Sequence, residues 1–268
     1  ALLLILVLLI VRVVSFEWRE RGDHPRWRAA WAWANTVGSV GAPFVWGVGL
    51  ANLVNGLPLD SDGNFTGNIL DLFSPYTVLA GVATVALFAL HGATFLALRT
   101  SGALCARAGA AARRLCVPVA ILVIGFLAAT VAVSVDRNDR DVLPVVIPAA
   151  LGASALVAAV ALVLARRSGW AFVATALAAV LEIATIFTGL YPRVFVSHPD
   201  FANSLTISNA ASAHYALSVI TVVAAILTPV IVLYQGWTYH VFRARLGGGE
   251  SDEQSTAGEH TTPGVTAG

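Results

Sequence analysis

One acidic side chain lies deep inside a long apolar segment, where ionisable groups are rare. Glu182 stands near the middle of the segment 169–191 and is the only acid so placed. Because an isolated carboxylate is costly there, Glu182 is expected to be protonated, paired across helices or next to water. Two interpretations follow: a group on a proton path, or a neutral, hydrogen-bonded packing residue. The second is the ordinary one.

One histidine is similarly placed. His91 is the only one of the six His inside an apolar segment, about 12 Å from Arg99 by helix rise. Haem or a metal ion would need His side chains on helices at matching depth, and no mate for His91 is present. The sequence therefore favours a hydrogen bond to a neighbouring helix, with a ligand role as the alternative.

A third candidate is a charged pair near the end of the first apolar run. Arg12 and Glu17 are five residues apart and could pair with each other or with a partner subunit. The ordinary alternative is an interface anchor, because exposed ion pairs are weak. The chain has no Gly-rich phosphate loop, Ser-His-Asp arrangement or Cys-x-x-Cys pair, so it contains no self-sufficient catalytic constellation.

The elements that position these residues are membrane spans. Hydrophobic residues make up 57% of the 268 positions and charged residues 12%, which is too little polar surface for a water-soluble fold. We predict an all-α, polytopic transmembrane helix bundle with seven visible helical segments, the first of which, 1–11, is incomplete. The six complete segments are 30–54, 75–98, 115–135, 142–165, 169–191 and 210–242. The segments 115–135 and 142–165 are almost without polar residues and are expected to face lipid.

Arginine sorting predicts the orientation of the bundle. The chain has no Lys, and thirteen of its sixteen Arg fall in the first, third and fifth loops and after the last span, which predicts that these loops and the C-terminus are cytoplasmic. The near-zero net charge suggests no nucleic-acid partner. We predict a helical bundle over 1–246, with N-terminal spans missing, and a disordered cytoplasmic tail over 247–268, which is rich in Gly, Ser, Thr and Glu.

Several blocks of sequence resemble, in order, subunit II of bacterial cytochrome bd quinol oxidase. They cover nearly the whole chain except 104–165, which matches by hydropathy alone. The blocks are Arg12 with Ser15-Phe16-Glu17-Trp18-Arg19, Trp27-Arg28, Asn52-Leu53, Thr66-Gly67-Asn68, Pro75-Tyr76, His91-Gly92-Ala93-Thr94-Phe95-Leu96, Trp170-Ala171-Phe172, Gly189-Leu190-Tyr191-Pro192, Asn203-Ser204-Leu205-Thr206 and Tyr234-Gln235-Gly236-Trp237.

The resemblance implies a function for the chain as part of a larger complex. In this family a larger subunit I holds haem b and haem d, and subunit II is its haem-free companion, with a structural quinone and a small accessory subunit as further components. The complex oxidises quinol and reduces dioxygen to water in the bacterial cell membrane. Family members begin with about two further spans, which implies about nine helices in an intact parent. The resemblance adds a quinone contact to the roles open to Glu182.

Two other classes of function remain open from the sequence. A secondary transporter would show broken helices at corresponding positions of two repeats and polar residues at the midplane. The chain has no convincing repeat and only one buried acid. A membrane scaffold or assembly protein is the other alternative, and it predicts that removing the chain leaves haem spectra unchanged.

Overall fold

The computed structural model describes residues 2–60, 64–138, 140–198 and 201–241. Long helices dominate these residues, and a small two-stranded sheet joins them at one end. The helices are α1 (Leu2–Glu20), α2 (Pro25–Asn55), α3 (Pro75–Arg99), α4 (Gly102–Asn138), α5 (Val142–Leu164), α6 (Ser168–Leu190), α7 (Ile207–Ala210) and α8 (His214–Val241).

The predicted all-α bundle is confirmed. Six described helices, α2 to α6 and α8, are long and apolar enough to cross a membrane. Two begin earlier than predicted. In α2 the His24 side chain accepts a hydrogen bond from the Arg26 backbone N–H and Pro25 occupies the first turn, so the helix begins before the apolar run. In α4 the helix extends back to Gly102, well outside the apolar run.

The packing centres on α3, which contacts α2, α4 and α6, while α5 packs against α4 and α6, and α1 against α2. The contact between α2 and α3 is close because glycines lie at it. A Cβ atom on Gly47 would lie 2.8 Å from the Ala80 carbonyl oxygen and 3.0 Å from Gly81 Cα. Only a residue without a side chain permits this approach.

The prediction that 115–135 and 142–165 face lipid fits only one side of each helix: Ile121 and Val157 are exposed, but the opposite sides are buried. Phe126 and Val123 of α4 are fully buried, as are Leu156 and Val145 of α5. An apolar helix in a membrane can turn its side chains toward lipid or toward other helices with equal ease, because both surroundings are apolar. Amino-acid composition therefore could not distinguish a lipid-facing side chain from one that packs against another helix.

The end of the bundle opposite the arginine-rich loops carries a structured cap. Strands β1 (Arg193–Phe195) and β2 (Leu205–Thr206) pair antiparallel, and Leu57 forms a bridge with Ser197. A short 3-10 helix, Ile69–Leu72, precedes α3. We call this the acid-rich end, after the Asp residues of its loops, and the opposite one the arginine-rich end.

Helix α8 stands apart from the packed body. None of its residues is buried. In the other five candidate spans, buried residues make up between a third and nearly half of the most apolar window. The segment 247–268, predicted to be a disordered tail, lies outside the described residues, and the boundary at 246 stays a prediction.

Candidate functional site

Glu182 lies inside the bundle rather than at its surface. Its side chain is only 4% exposed, and the Thr84 side chain of α3 lies near its carboxyl group. The Thr84 hydroxyl donates a hydrogen bond to the Ala80 carbonyl oxygen at 2.8 Å. The two roles expected from the sequence, a group on a proton path and a neutral, hydrogen-bonded packing residue, stay predictions.

Beside Glu182 lies a cavity of about 350 Å³ formed by α2, α3, α4 and α6. We call it the Glu182 cavity. Its walls are mainly apolar, and Glu182 and Thr84 supply its polar side chains. The large side chains that line it are Trp46, Leu50, Phe88, Phe126, Ile183 and Ile186. Such a site suits an apolar ligand with one group able to accept a hydrogen bond.

His91 forms the hydrogen bond to a neighbouring helix that the sequence favoured. Its Nδ1 atom lies 2.9 Å from Thr175 Oγ1 of α6, and its ring stacks on Phe172 with 4.5 Å between centroids. The Thr175 hydroxyl also forms a hydrogen bond with the Phe172 carbonyl oxygen of its own helix. His91 lies about 10 Å along α3 from Thr84, so the structure does not bring it to Glu182.

No group of three or more His, Cys, Asp or Glu side chains capable of holding a metal ion occurs among the described residues. The Nδ1 atom of His91 is engaged with Thr175, and one face of its ring is covered by Phe172. A hydrogen bond at Nδ1 leaves ligation through Nε2 open, so the ligand role of His91 stays a prediction.

A pairing of Arg12 with Glu17, one of the alternatives left open by the sequence, is not among the ion pairs of the described residues. Glu17 instead accepts a hydrogen bond from Arg21 at 2.8 Å, one helical turn further along α1. Residues five apart point about 140° away from each other around a helix, whereas residues four apart share a face. Arg12 lines a second cavity, of about 580 Å³, between α1, α2 and α3, together with Ser39. A functional role for Arg12 or Glu17 stays a prediction.

The sequence analysis missed a set of buried polar residues between Glu182 and the acid-rich end. The Tyr76 hydroxyl lies 3.1 Å from Thr130 Oγ1, and Tyr76 stacks on Phe126. Two further residues of α4, Ser134 and Asn138, are fully buried. Their four-residue spacing, on the face that carries Thr130, was the signal in the sequence that could have revealed them.

Comparison with known proteins identifies the family. The family model for cytochrome bd terminal oxidase subunit II matches residues 1–242. Cytochrome bd ubiquinol oxidase subunit 2 of Bacillus subtilis is 35% identical over 243 residues, which cover 91% of this chain and 72% of that protein. Cytochrome bd-I ubiquinol oxidase subunit 2 of Escherichia coli K12 is 30% identical over 276 residues, covering 89% and 72%.

A solved structure supports the fold. The bd oxidase from Geobacillus thermodenitrificans contains a chain that superposes with a TM-score of 0.64 at 19% identity, covering 89% of this chain and 72% of that one. The family match removes the transporter and the scaffold as alternatives. The chain belongs to the cytochrome bd terminal oxidase subunit II family and is a multi-pass membrane subunit of an oxidoreductase complex.

Proposed function

We propose that this chain is the companion of a haem-bearing subunit I in a complex that oxidises quinol and reduces dioxygen to water. The observation that carries the proposal is the family match over 1–242, together with relatives that are named ubiquinol oxidase subunits. Haem b and haem d are assigned to the partner, as the resemblance to the family implies. The chain then supports the reaction without performing it.

The Glu182 cavity is proposed as the site of a bound quinone. Its volume of about 350 Å³ falls within the range typical of small-ligand sites, roughly 300–1,000 Å³. When protonated, the Glu182 carboxyl group would donate a hydrogen bond to a quinone carbonyl oxygen, and the apolar walls would hold the ring and the first part of its tail. A quinone supplies two-electron redox chemistry when bound.

The orientation proposed from arginine sorting places the arginine-rich end and the C-terminus in the cytoplasm. Arg99, Arg107 and Arg114 lie at the ends of α3 and α4 on that side, and the loops at the opposite end are acidic. Short arginine-rich loops are retained on the cytoplasmic side during membrane insertion. The cap with β1 and β2 then faces the outside.

Purification of the chain with its native partners tests the assignment of the complex. A reduced-minus-oxidised absorption spectrum should show a d-type haem band, and a larger chain bearing the haem ligands should co-purify. Cells that lack this chain should lose both the band and the assembled complex. A colourless preparation without a partner, from cells grown at low oxygen, would overturn the proposal.

Quinone content tests the proposed role of the cavity. Ala179 lines the Glu182 cavity, whereas Ala176, on the same helix and also half-buried, is not part of its lining. Ala179→Leu should fill the cavity and reduce the quinone extracted per complex, while Ala176→Leu should leave it unchanged. Equal quinone content in the two variants would show that quinone binds elsewhere.

Thiol labelling tests the orientation. With Cys105 and Cys116 both replaced by Ser, a single Cys at the exposed position of Arg107 should react with a membrane-impermeant maleimide only in inside-out vesicles. A Cys at the exposed position of Ser208, in the cap, should react only in right-side-out spheroplasts. The opposite pattern would reverse the proposed topology.

A further inference from the structure

One face of α4 carries buried polar groups whose hydrogen bonds are incomplete. Thr130, Ser134 and Asn138 follow one another at four-residue spacing, and all three are fully buried. Ser134 Oγ and Asn138 Oδ1 have no hydrogen-bond partner among the described residues. Ser134 differs in this from Thr84 and Thr130, whose hydroxyls donate to the backbone of their own helices. Buried polar atoms of this kind are commonly held by internal water.

The deep end of this face leads to Glu182. The Tyr76 hydroxyl shares a hydrogen bond with Thr130, whose hydroxyl also lies within reach of the Phe126 carbonyl oxygen. Tyr76 is also close enough to Glu182 for an electrostatic interaction.

Helix α6 carries Glu182 and packs against Ser134, which places both residues along one strip of the interior. Gly189 packs so closely against Ser134 that any side chain on Gly189 would overlap the Ser134 hydroxyl. Gly189 follows Glu182 by seven residues, which is about 10 Å of helix rise. The strip from Glu182 to Ser134 therefore spans two helical turns and passes the level of Tyr76 and Thr130.

The other end of the strip reaches the acid-rich end of the bundle. Asn138 Nδ2 donates to the Val54 carbonyl oxygen at 3.1 Å, and the Asn138 carbonyl oxygen accepts from Arg193 Nη1 at 3.0 Å. Arg193 is half-buried and belongs to the cap. Nearby in the sequence, Arg140 has a buried Nε atom without a partner among the described residues. Asn138 thus lies where the bundle interior meets the cap.

The spacing of these groups sets what can join them. Residues four apart in a helix are separated by about 6 Å along its axis, too far for a direct hydrogen bond between successive short side chains. Two hydrogen bonds through one water molecule span about that distance. We propose that internal water molecules join Tyr76, Thr130, Ser134 and Asn138 into a polar track that places the Glu182 carboxyl group in proton exchange with the acid-rich end.

The part of the proposal that concerns proton exchange rests on the role proposed for Glu182, whereas the water positions do not.

Density maps of the complex, purified with its native partners and resolving ordered water, test the water positions. The wild-type map should show water within hydrogen-bonding distance of Ser134 Oγ and Asn138 Oδ1. Ser134→Ala should lose the first of these. Ser154→Ala is the matched control, because Ser154 is exposed and its hydroxyl donates to Leu151 of its own helix. A wild-type map with ordered water elsewhere but none on this strip would overturn the proposal.

Infrared spectroscopy tests the proton exchange. The carbonyl stretch of the protonated carboxyl group is identified as the band that Glu182→Gln removes, and its shift after transfer to D₂O reports exchange. Ser134→Ala should slow this shift about tenfold, the effect of removing one hydrogen bond from a bound water, and Ser154→Ala should not. An unchanged rate in Ser134→Ala, or the absence of such a band, would contradict the proposal. A haem spectrum recorded on each variant shows separately whether the proposed oxidase complex has assembled.

Discussion

Replacing Gly47 with Ala should destabilise the bundle, although alanine is the better helix former. The added Cβ would lie 2.8 Å from the Ala80 carbonyl oxygen and 3.0 Å from Gly81 Cα. Ordinary contacts of a Cβ atom begin near 3.4 Å, so relieving the contact with the Ala80 carbonyl oxygen requires α2 and α3 to separate by about 0.6 Å. The Cβ would also lie 2.5 Å from Thr84 Oγ1, and a rotamer change of Thr84 relieves only that contact, because the other two opposing atoms belong to the backbone. Overpacking of this kind costs about 1–3 kcal/mol.

Gly92→Ala is the control that isolates this effect. Gly92 lies in α3, and a Cβ at that position would meet nothing within 4 Å. Both variants gain the same helix propensity, up to about 1 kcal/mol, so their difference reports the close contact alone. Thermal unfolding of the purified complex, followed by intrinsic fluorescence, should give a Tm for Gly47→Ala lower than that for Gly92→Ala by several degrees, at roughly 2–4 °C per kcal/mol. Equal Tm values would refute the assignment of the α2–α3 contact to Gly47.

Three further substitutions test other contacts, each by the same thermal assay. Asn138→Ala should lower the free energy of unfolding by about 1–3 kcal/mol, because the Val54 carbonyl oxygen loses its donor in a buried position. A Tm equal to that of Ser154→Ala would argue against this contact. Thr175→Val keeps the shape of the side chain but removes the hydrogen-bond partner of His91 Nδ1, so it should lower the Tm, whereas Thr188→Val, whose hydroxyl bonds only to its own helix, should have a smaller effect. Glu17→Gln breaks an exposed ion pair with Arg21 and should change stability by less than about 0.5 kcal/mol, so a large loss would point to a further contact of Glu17.

The parts of the fold that the sequence predicted are those that follow from solvation. Six spans could be located because each needs a long apolar run, and Glu182 was recognisable because a carboxyl group in such a run is rare. The hydrogen bond of His91 to another helix followed from the same reasoning, since a lone intramembrane His needs a polar partner.

The parts that it did not predict depend on which side of a helix faces its neighbours. The burial of Phe126 and Leu156 could not be predicted, because lipid and protein interior are equally apolar. The partner of Glu182 lies on α3, almost one hundred residues away, and no local pattern marks Thr84 as that partner. The Arg12–Glu17 pair failed on helix geometry, which the five-residue spacing could have excluded in advance.

Because α8 has no buried residues, it should unfold independently of the other helices. Unfolding is all-or-none only among elements that share contacts, and α8 contributes no buried side chain to the body formed by α1 to α6. In the bilayer its backbone hydrogen bonds are satisfied within the helix itself. Heating can therefore disrupt the packing of α2 to α6 while α8 stays helical. A near-ultraviolet circular dichroism signal, which reports packed aromatic side chains, should disappear at a lower temperature than part of the far-ultraviolet helical signal.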